Sequence, residues 1–167
     1  MRPRQPLPSI WLVSDARNDA VLERALKRLP RGSGVVFRHF HLQPKQRSAR
    51  LEQLARLCRR HGHRLEVAGL GYGPPAPHRR LTPAHSLREI GRANRFGVGA
   101  VLLSPVFATR SHPGAKPLGA LRFRLLAAWA QMPVIALGGM TARRARSLGW
   151  PRWAAIDGLS FRTKSDS

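Results

Sequence analysis

Apolar residues in this chain fall into short runs separated by longer stretches in which they recur every three to four positions. Ile10–Ser14 (IWLVS) reads as a buried strand, and Asp15 behind it suits a helix cap. Asp19–Leu29 places Val21, Leu22, Ala25, Leu26 and Leu29 on one face of a helix, which Pro30–Gly34 ends. Gly34–His41 is a second strand, with Val35, Val36 and Phe37 leading to Arg38. Ser48–His61 is the clearest helix, striped by Leu51, Leu54, Ala55, Leu57 and Cys58 and stopped by Gly62. His63–Ala68 is a third strand. Strand and helix alternate, the pattern of a parallel sheet with helical crossovers.

The rhythm breaks at Gly69–Pro83, where three glycines and four prolines fall within fifteen residues. Only Arg79–Thr82 offers a short strand there, with Leu70–Tyr72 as the remnant of another. Order returns at Ser86, which caps a helix over Leu87–Phe96; Glu89 at its third position completes a capping box. Strands follow at Ala100–Leu103, Val134–Leu137 and Ala154–Asp157, with helices over Leu118–Ala130 and Thr141–Leu148 between them. Seven strands result.

The chemistry gathers after the later strands. Val101–Gly119 (VLLSPVFATRSHPGAKPLG) ends in hydroxyls at Ser104, Thr109 and Ser111, with Arg110 and His112 among them. Pro133–Thr141 (PVIALGGMT) ends in Gly138 and Gly139, whose bare backbone can approach a phosphate closely. A parallel barrel presents ligand-binding groups in this way, at the carboxyl ends of its strands.

Composition narrows the partners. The formal net charge is +22, yet the 30 basic residues are spread along the whole chain, many on the polar faces of helices. There is no RNP-type aromatic pattern, no zinc spacing and no concentrated basic arm, so a dedicated nucleic-acid protein is the least favoured reading. No apolar run approaches the ~20 residues of a membrane span, and Met1–Ser9 lacks a secretory core. The lone Cys58 belongs to a helix core. These features point to a cytoplasmic protein.

The two strand-loop runs resemble the thiamine phosphate synthase and thiazole tautomerase family, whose members carry a GPxFPTxTK loop and an IPVxAIGGI strand at this spacing. The resemblance implies a TIM (β/α)8-type barrel. At 167 residues it would be incomplete, since such barrels usually need ~200–250. About seven strands, a reduced fourth βα unit and a missing C-terminal helix are expected. The barrel would span 10–161, between a basic, proline-containing tail (1–9) and a polar one (162–167). Exposed flanks on such a barrel leave room for a homodimer.

The family joins a pyrimidine methyl pyrophosphate to a thiazole phosphate, giving thiamine phosphate and pyrophosphate. On this resemblance Thr109, Ser111, Gly138, Gly139 and Gly158 would bind the thiazole phosphate, with His112 where the family has a lysine. Arg38 would act on the pyrophosphate side, as the retained member of a Gln-Arg-Lys set whose other places hold Val36 and Phe40. Mg²⁺ is the implied cofactor. However, Ala68-Gly69 stands where the family has Asn-Asp, and the segment for the second aspartate is missing. Glu66 is the one acid nearby, placed within a strand. The tautomerase histidine position holds Pro105, and His85 reads as a helix-entry residue. His39, His41, His61, His63 and His78 show no carboxylate or cysteine partner at ligand spacing, so no metal ligand is assigned. The alternative to a synthase is a non-catalytic barrel that binds a phosphorylated thiazole or similar small phosphate.

Overall fold

The computed structural model describes residues 6–111 and 113–159. Seven parallel strands form one curled sheet: β1 (Ile10–Val13), β2 (Gly34–Phe37), β3 (Arg64–Val67), β4 (Leu81–Ala84), β5 (Ala100–Leu103), β6 (Val134–Ala136) and β7 (Trp153–Ala155). Their order is β3-β2-β1-β7-β6-β5-β4. The five α-helices of the described residues are α1 (Leu22–Arg28), α2 (Pro44–His61), α3 (Leu87–Phe96), α4 (Gly119–Ala127) and α5 (Ala142–Leu148). This is an incomplete α/β barrel. None of these helices is long and apolar enough to cross a membrane.

Alternation along the strands sorts their residues into two cores. Trp11, Val13, Val36, Leu81, Ala100, Leu102, Ile135, Ala154 and Ile156 fill the interior. Leu12, Val35, Phe37, Val101, Leu103, Ala136 and Ala155 face outward, where Leu26, Leu54, Ile90, Phe123 and Leu148 of the helices cover them. Trp11 occupies the space in front of Gly34, where a Cβ would come within 2.2 Å of the indole. Its Nε1 donates to the Pro8 carbonyl, and Trp153 N donates to the Ser9 carbonyl, so the segment before β1 packs against the barrel floor.

The sheet ends, β3 and β4, do not pair directly. Tyr72 alone bridges them, parallel to Ala68 on one side and to Leu81 on the other. Tyr72 N donates to the Val67 carbonyl and Gly69 N to the Tyr72 carbonyl, while Leu81 N and the Gly73 amide complete the pattern on the far side. The Leu70–Tyr72 remnant is therefore a one-residue bridge. A buried ion pair reinforces it: Glu66 of β3 accepts from Arg80 Nε at 2.6 Å and from Arg64 Nε at 2.9 Å. Gly71 passes directly over that carboxylate, since a Cβ there would lie 2.0 Å from Oε2.

Several local expectations change: the strand read over Gly34–His41 stops at Phe37, the helix read from Ser48 begins at Pro44, and the strand read over Ala154–Asp157 lies at Trp153–Ala155. The strand read at Arg79–Thr82 lies at Leu81–Ala84 and includes Pro83, tolerated because only β5 pairs with it along its length. The helix read to Ala130 ends at Ala127. Asp15 caps no helix; its carboxylate is drawn instead to two arginines. By contrast, Ser86 accepts from Glu89 N and Thr141 from Arg144 N as helix caps, and Cys58 is buried in α2, which pushes its thiol up to about 11. The C-terminal tail, where a closing helix was expected to be missing, falls outside the described residues beyond Leu159.

Candidate functional site

At the carboxyl ends of the strands lies a cavity of about 320 Å³. Arg38, Thr109, Ser111, Gly138, Gly139 and Gly158, expected from the sequence to form a site, all line it, joined by His85, Ser104 and Asp157. His112 falls outside the described residues.

Each wall has a local cause. The loop after β5 turns over the barrel mouth, with Val106 N donating to Leu137 O and Phe107 N to Gly138 O, which ties it to the loop after β6. That contact sets the glycine requirement. Gly139 adopts φ +61, and a Cβ on it would lie 2.4 Å from the Ala108 carbonyl; on Gly158 it would lie 2.0 Å from the Met140 carbonyl. Packing thus demands glycine whether or not a ligand is bound. What the two glycines leave open is their amides: neither N–H has a hydrogen-bond partner among the described residues.

The hydroxyls are arranged as a chain. Thr109 Oγ1 donates to Ser111 Oγ at 3.3 Å and accepts from Ser111 N. Ser111 Oγ also accepts from Arg17 Nη2 at 2.7 Å. With two donors converging on its oxygen, Ser111 keeps its own proton free for an acceptor in the cavity. The Ser111 hydroxyl and the Gly139 and Gly158 amides are donors suited to an acceptor-only anion such as a phosphate ester, while Asp157, the one acid on the described lining, lies 3.5 Å from Arg17 Nη1.

Asp15 organises the opposite rim. Its Oδ1 accepts from Arg17 Nε at 3.0 Å, and its Oδ2 lies 3.7 Å from Arg38 Nη2. Burial tends to raise its pKa. Hydrogen bonds from the Arg17 backbone and guanidinium, with the charges of Arg17 and Arg38, outweigh that and hold the carboxyl below its usual range. Arg17 carried no signal in the sequence, because nothing in a loop after β1 announces that it reaches the loops after β5 and β7. Its Nη1 lies 3.5 Å from Asp157.

Behind Arg38 sits a buried relay. Ser14 Oγ accepts from Arg38 N at 2.9 Å and lies 2.8 Å from His39 Nδ1; His39 Nε2 lies 2.8 Å from Asp19 Oδ1. The Nε2-protonated tautomer satisfies every contact: Ser14 donates to Nδ1 and the ring donates to Asp19. Burial pushes the His39 pKa down, and the Asp19 contact only partly offsets this. His39 therefore has the carboxylate partner that its sequence neighbourhood lacks. Asp19, His39 and His41 do converge as a group with metal-ligand chemistry. Yet Asp19 Oδ1 also lies 2.7 Å from an Arg50 nitrogen, so this oxygen and both His39 ring nitrogens already have partners.

The residues around the cavity do not fit Mg²⁺. That ion takes oxygen ligands and is usually held by one or two carboxylates. Asp15 is shared by two guanidiniums, Asp157 faces Arg17, and Glu66 is locked inside the barrel between Arg64 and Arg80. Ala68 and Gly69 offer no side-chain oxygen.

Comparison with known families matches the second half of the chain. Residues 82–156 match the family model described as thiamine monophosphate synthase. The putative thiamine-phosphate synthase 2 of Aquifex aeolicus is 37% identical over 75 residues, covering 41% of this chain and 40% of that protein. The match thus spans well under half of that relative's length. A solved structure of thiamine phosphate pyrophosphorylase from Pyrococcus furiosus superposes with a TM-score of 0.74, covering 92% of this chain and 88% of that one at 17% identity. That likeness establishes the barrel fold. The resemblance to the thiamine phosphate synthase family is thereby shown from β4 to β7, the stretch that holds Thr109, Ser111, Gly138 and Gly139.

Proposed function

We propose that this thiamine phosphate synthase-like barrel binds a phosphorylated thiazole in the cavity described above and works in the formation of thiamine phosphate. One observation carries the reading: donor groups from the loops after β5, β6 and β7 surround one cavity, with Arg38 of the loop after β2 on its wall. A site of this volume suits a small ligand. The phosphate meets the Ser111 hydroxyl and the open amides of Gly139 and Gly158. The pyrimidine methyl pyrophosphate approaches from the Arg38 side. Loss of pyrophosphate leaves a carbocation that the thiazole nitrogen captures, so positioning and charge do most of the work.

A second reading is favoured by the paired state of Asp15, Asp157 and Glu66: a barrel that holds the thiazole phosphate without turning it over. Incubation of purified protein with both substrates and Mg²⁺ separates the two. Pyrophosphate release establishes the synthase, whereas saturable thiazole phosphate binding without release establishes the binder. Absence of both refutes the phosphate reading altogether. For the synthase, Arg38→Ala abolishes turnover while thiazole phosphate affinity stays within about threefold, that is ~0.7 kcal/mol. Parallel loss of both contradicts the division of the cavity.

A further inference from the structure

We propose that Arg17 is the charge-bearing ligand of this cavity, so that a phosphate ester is held there by a guanidinium rather than through a divalent metal. The inference rests on the phosphate reading above and adds a residue that lies outside the matched stretch 82–156.

Arg17 stands beside the cavity lining and contacts two of its residues, Ser111 and Asp157. From the loop after β1 it touches Asp15 in its own loop, Ser111 after β5 and Asp157 after β7. A guanidinium carries five N–H donors in a rigid fork. Contacts to Asp15, Ser111 and Asp157 engage one donor on each nitrogen, leaving two for an incoming oxygen. The donor to Ser111 is the informative one. By occupying that oxygen, Arg17 turns the serine proton outward and sits within reach of whatever accepts it. A phosphate oxygen bound by Ser111 therefore lies next to the cation, the fork geometry that arginine offers to phosphates.

Asp15 is the positioning residue. One of its oxygens holds Arg17 and the other faces Arg38, which keeps two cations beside the cavity and spaced by a carboxylate. The same pairing removes Asp15 as a metal ligand, and the contact between Arg17 and Asp157 does so for the acid that lines the cavity. A divalent cation and Arg17 would compete for the same carboxylates. The guanidinium is already in place, covalently attached and held by contacts to three loops.

The test uses the full chain and thiazole phosphate as the probe, titrated calorimetrically with EDTA and again with excess Mg²⁺. Wild type is expected to bind equally under both conditions, within about twofold. Arg17→Ala weakens binding by about tenfold or more in both, the scale of a lost charge-assisted hydrogen bond. Arg17→Lys, which keeps the charge and loses the fork, falls between. Asp15→Asn weakens binding with a retained melting temperature. Arg92→Ala, an exposed cation on α3 that is not part of the cavity lining, leaves affinity unchanged and controls for the general charge of the protein. Wild-type affinity in both Arg17 variants overturns the assignment, as does strengthening of wild-type binding by about tenfold on adding Mg²⁺. No wild-type binding under either condition refutes the phosphate reading itself, and this assignment with it.

Discussion

Glu66→Gln should destabilise the protein by about 2 kcal/mol, and the derivation starts from the gap in the sheet. Glu66 is 2% exposed and holds Arg64 and Arg80, whose side chains are 27% and 56% exposed. A hydrogen bond to a charged group contributes ~1.5–3 kcal/mol. The half-exposed Arg80 contact is screened and belongs near ~1 kcal/mol, while the Arg64 contact stays near ~2 kcal/mol. Glutamine keeps the volume and one neutral acceptor, recovering about 1 kcal/mol of that total. For a chain of this size, the remaining ~2 kcal/mol lowers the melting temperature by roughly 4–8 °C. Urea titration followed by tryptophan fluorescence reads the change, since Trp11 lies in the same interior. A Glu66→Gln variant within ~0.5 kcal/mol of wild type refutes the idea that this ion pair braces the gap. So does a wild-type protein stabilised by Mg²⁺ in a way that Glu66→Gln abolishes, because Glu66 would then be a metal ligand.

Two further perturbations probe neighbouring features. The His39 pKa is depressed in the folded state, so its stabilising contribution is complete above the unfolded value of ~6.5 and is lost as pH falls through the folded value. Wild-type stability should therefore fall on acidification below about pH 6.5, and His39→Asn, which tolerates the φ of +39 there, should flatten that fall. A variant with the full wild-type slope between those pH values rules His39 out as its source. Tyr72→Ala loses packing inside the barrel and should cost about 2 kcal/mol. Tyr72→Pro also removes the N–H that bonds the Val67 carbonyl and should cost at least ~1 kcal/mol more; equal unfolding midpoints for the two variants would show that the backbone bridge contributes nothing.

The periodic part of the chain was legible because local pattern and tertiary context agree there. Leu87–Phe96 and Ala100–Leu103 begin and end where their caps and apolar runs say. Thr109, Ser111 and the glycine pair were legible because each closes a strand-loop unit that is contiguous in sequence. Features that depend on distant residues were not. His39 looked solitary, since its carboxylate stands 20 positions away on the turn before α1. Arg17 reaches Ser111 across 94 residues. The strand read at Arg79–Thr82 lies two residues later and includes Pro83, which the near-absence of a second neighbour for β4 makes acceptable.

The structural gap and the chemical gap fall on the same side of the barrel, and one cause accounts for both. From β4 to β7 the register runs strand to strand without a break, so the loops that follow β5, β6 and β7 are anchored on both flanks. Those loops carry the donors of the cavity. Between β3 and β4 the ladder shrinks to Tyr72, and the chain there must solve a different problem, that of covering an open seam. Gly71 lets the backbone cross a buried carboxylate, and Arg80 reaches inward to neutralise it. An acid aimed at the cavity from this segment would need a longer strand to hold it and a partner other than these arginines. The residues that close the seam are thus the ones that leave no free carboxylate beside it, and the anion-binding task passes to cations held by Asp15 on the intact side of the mouth.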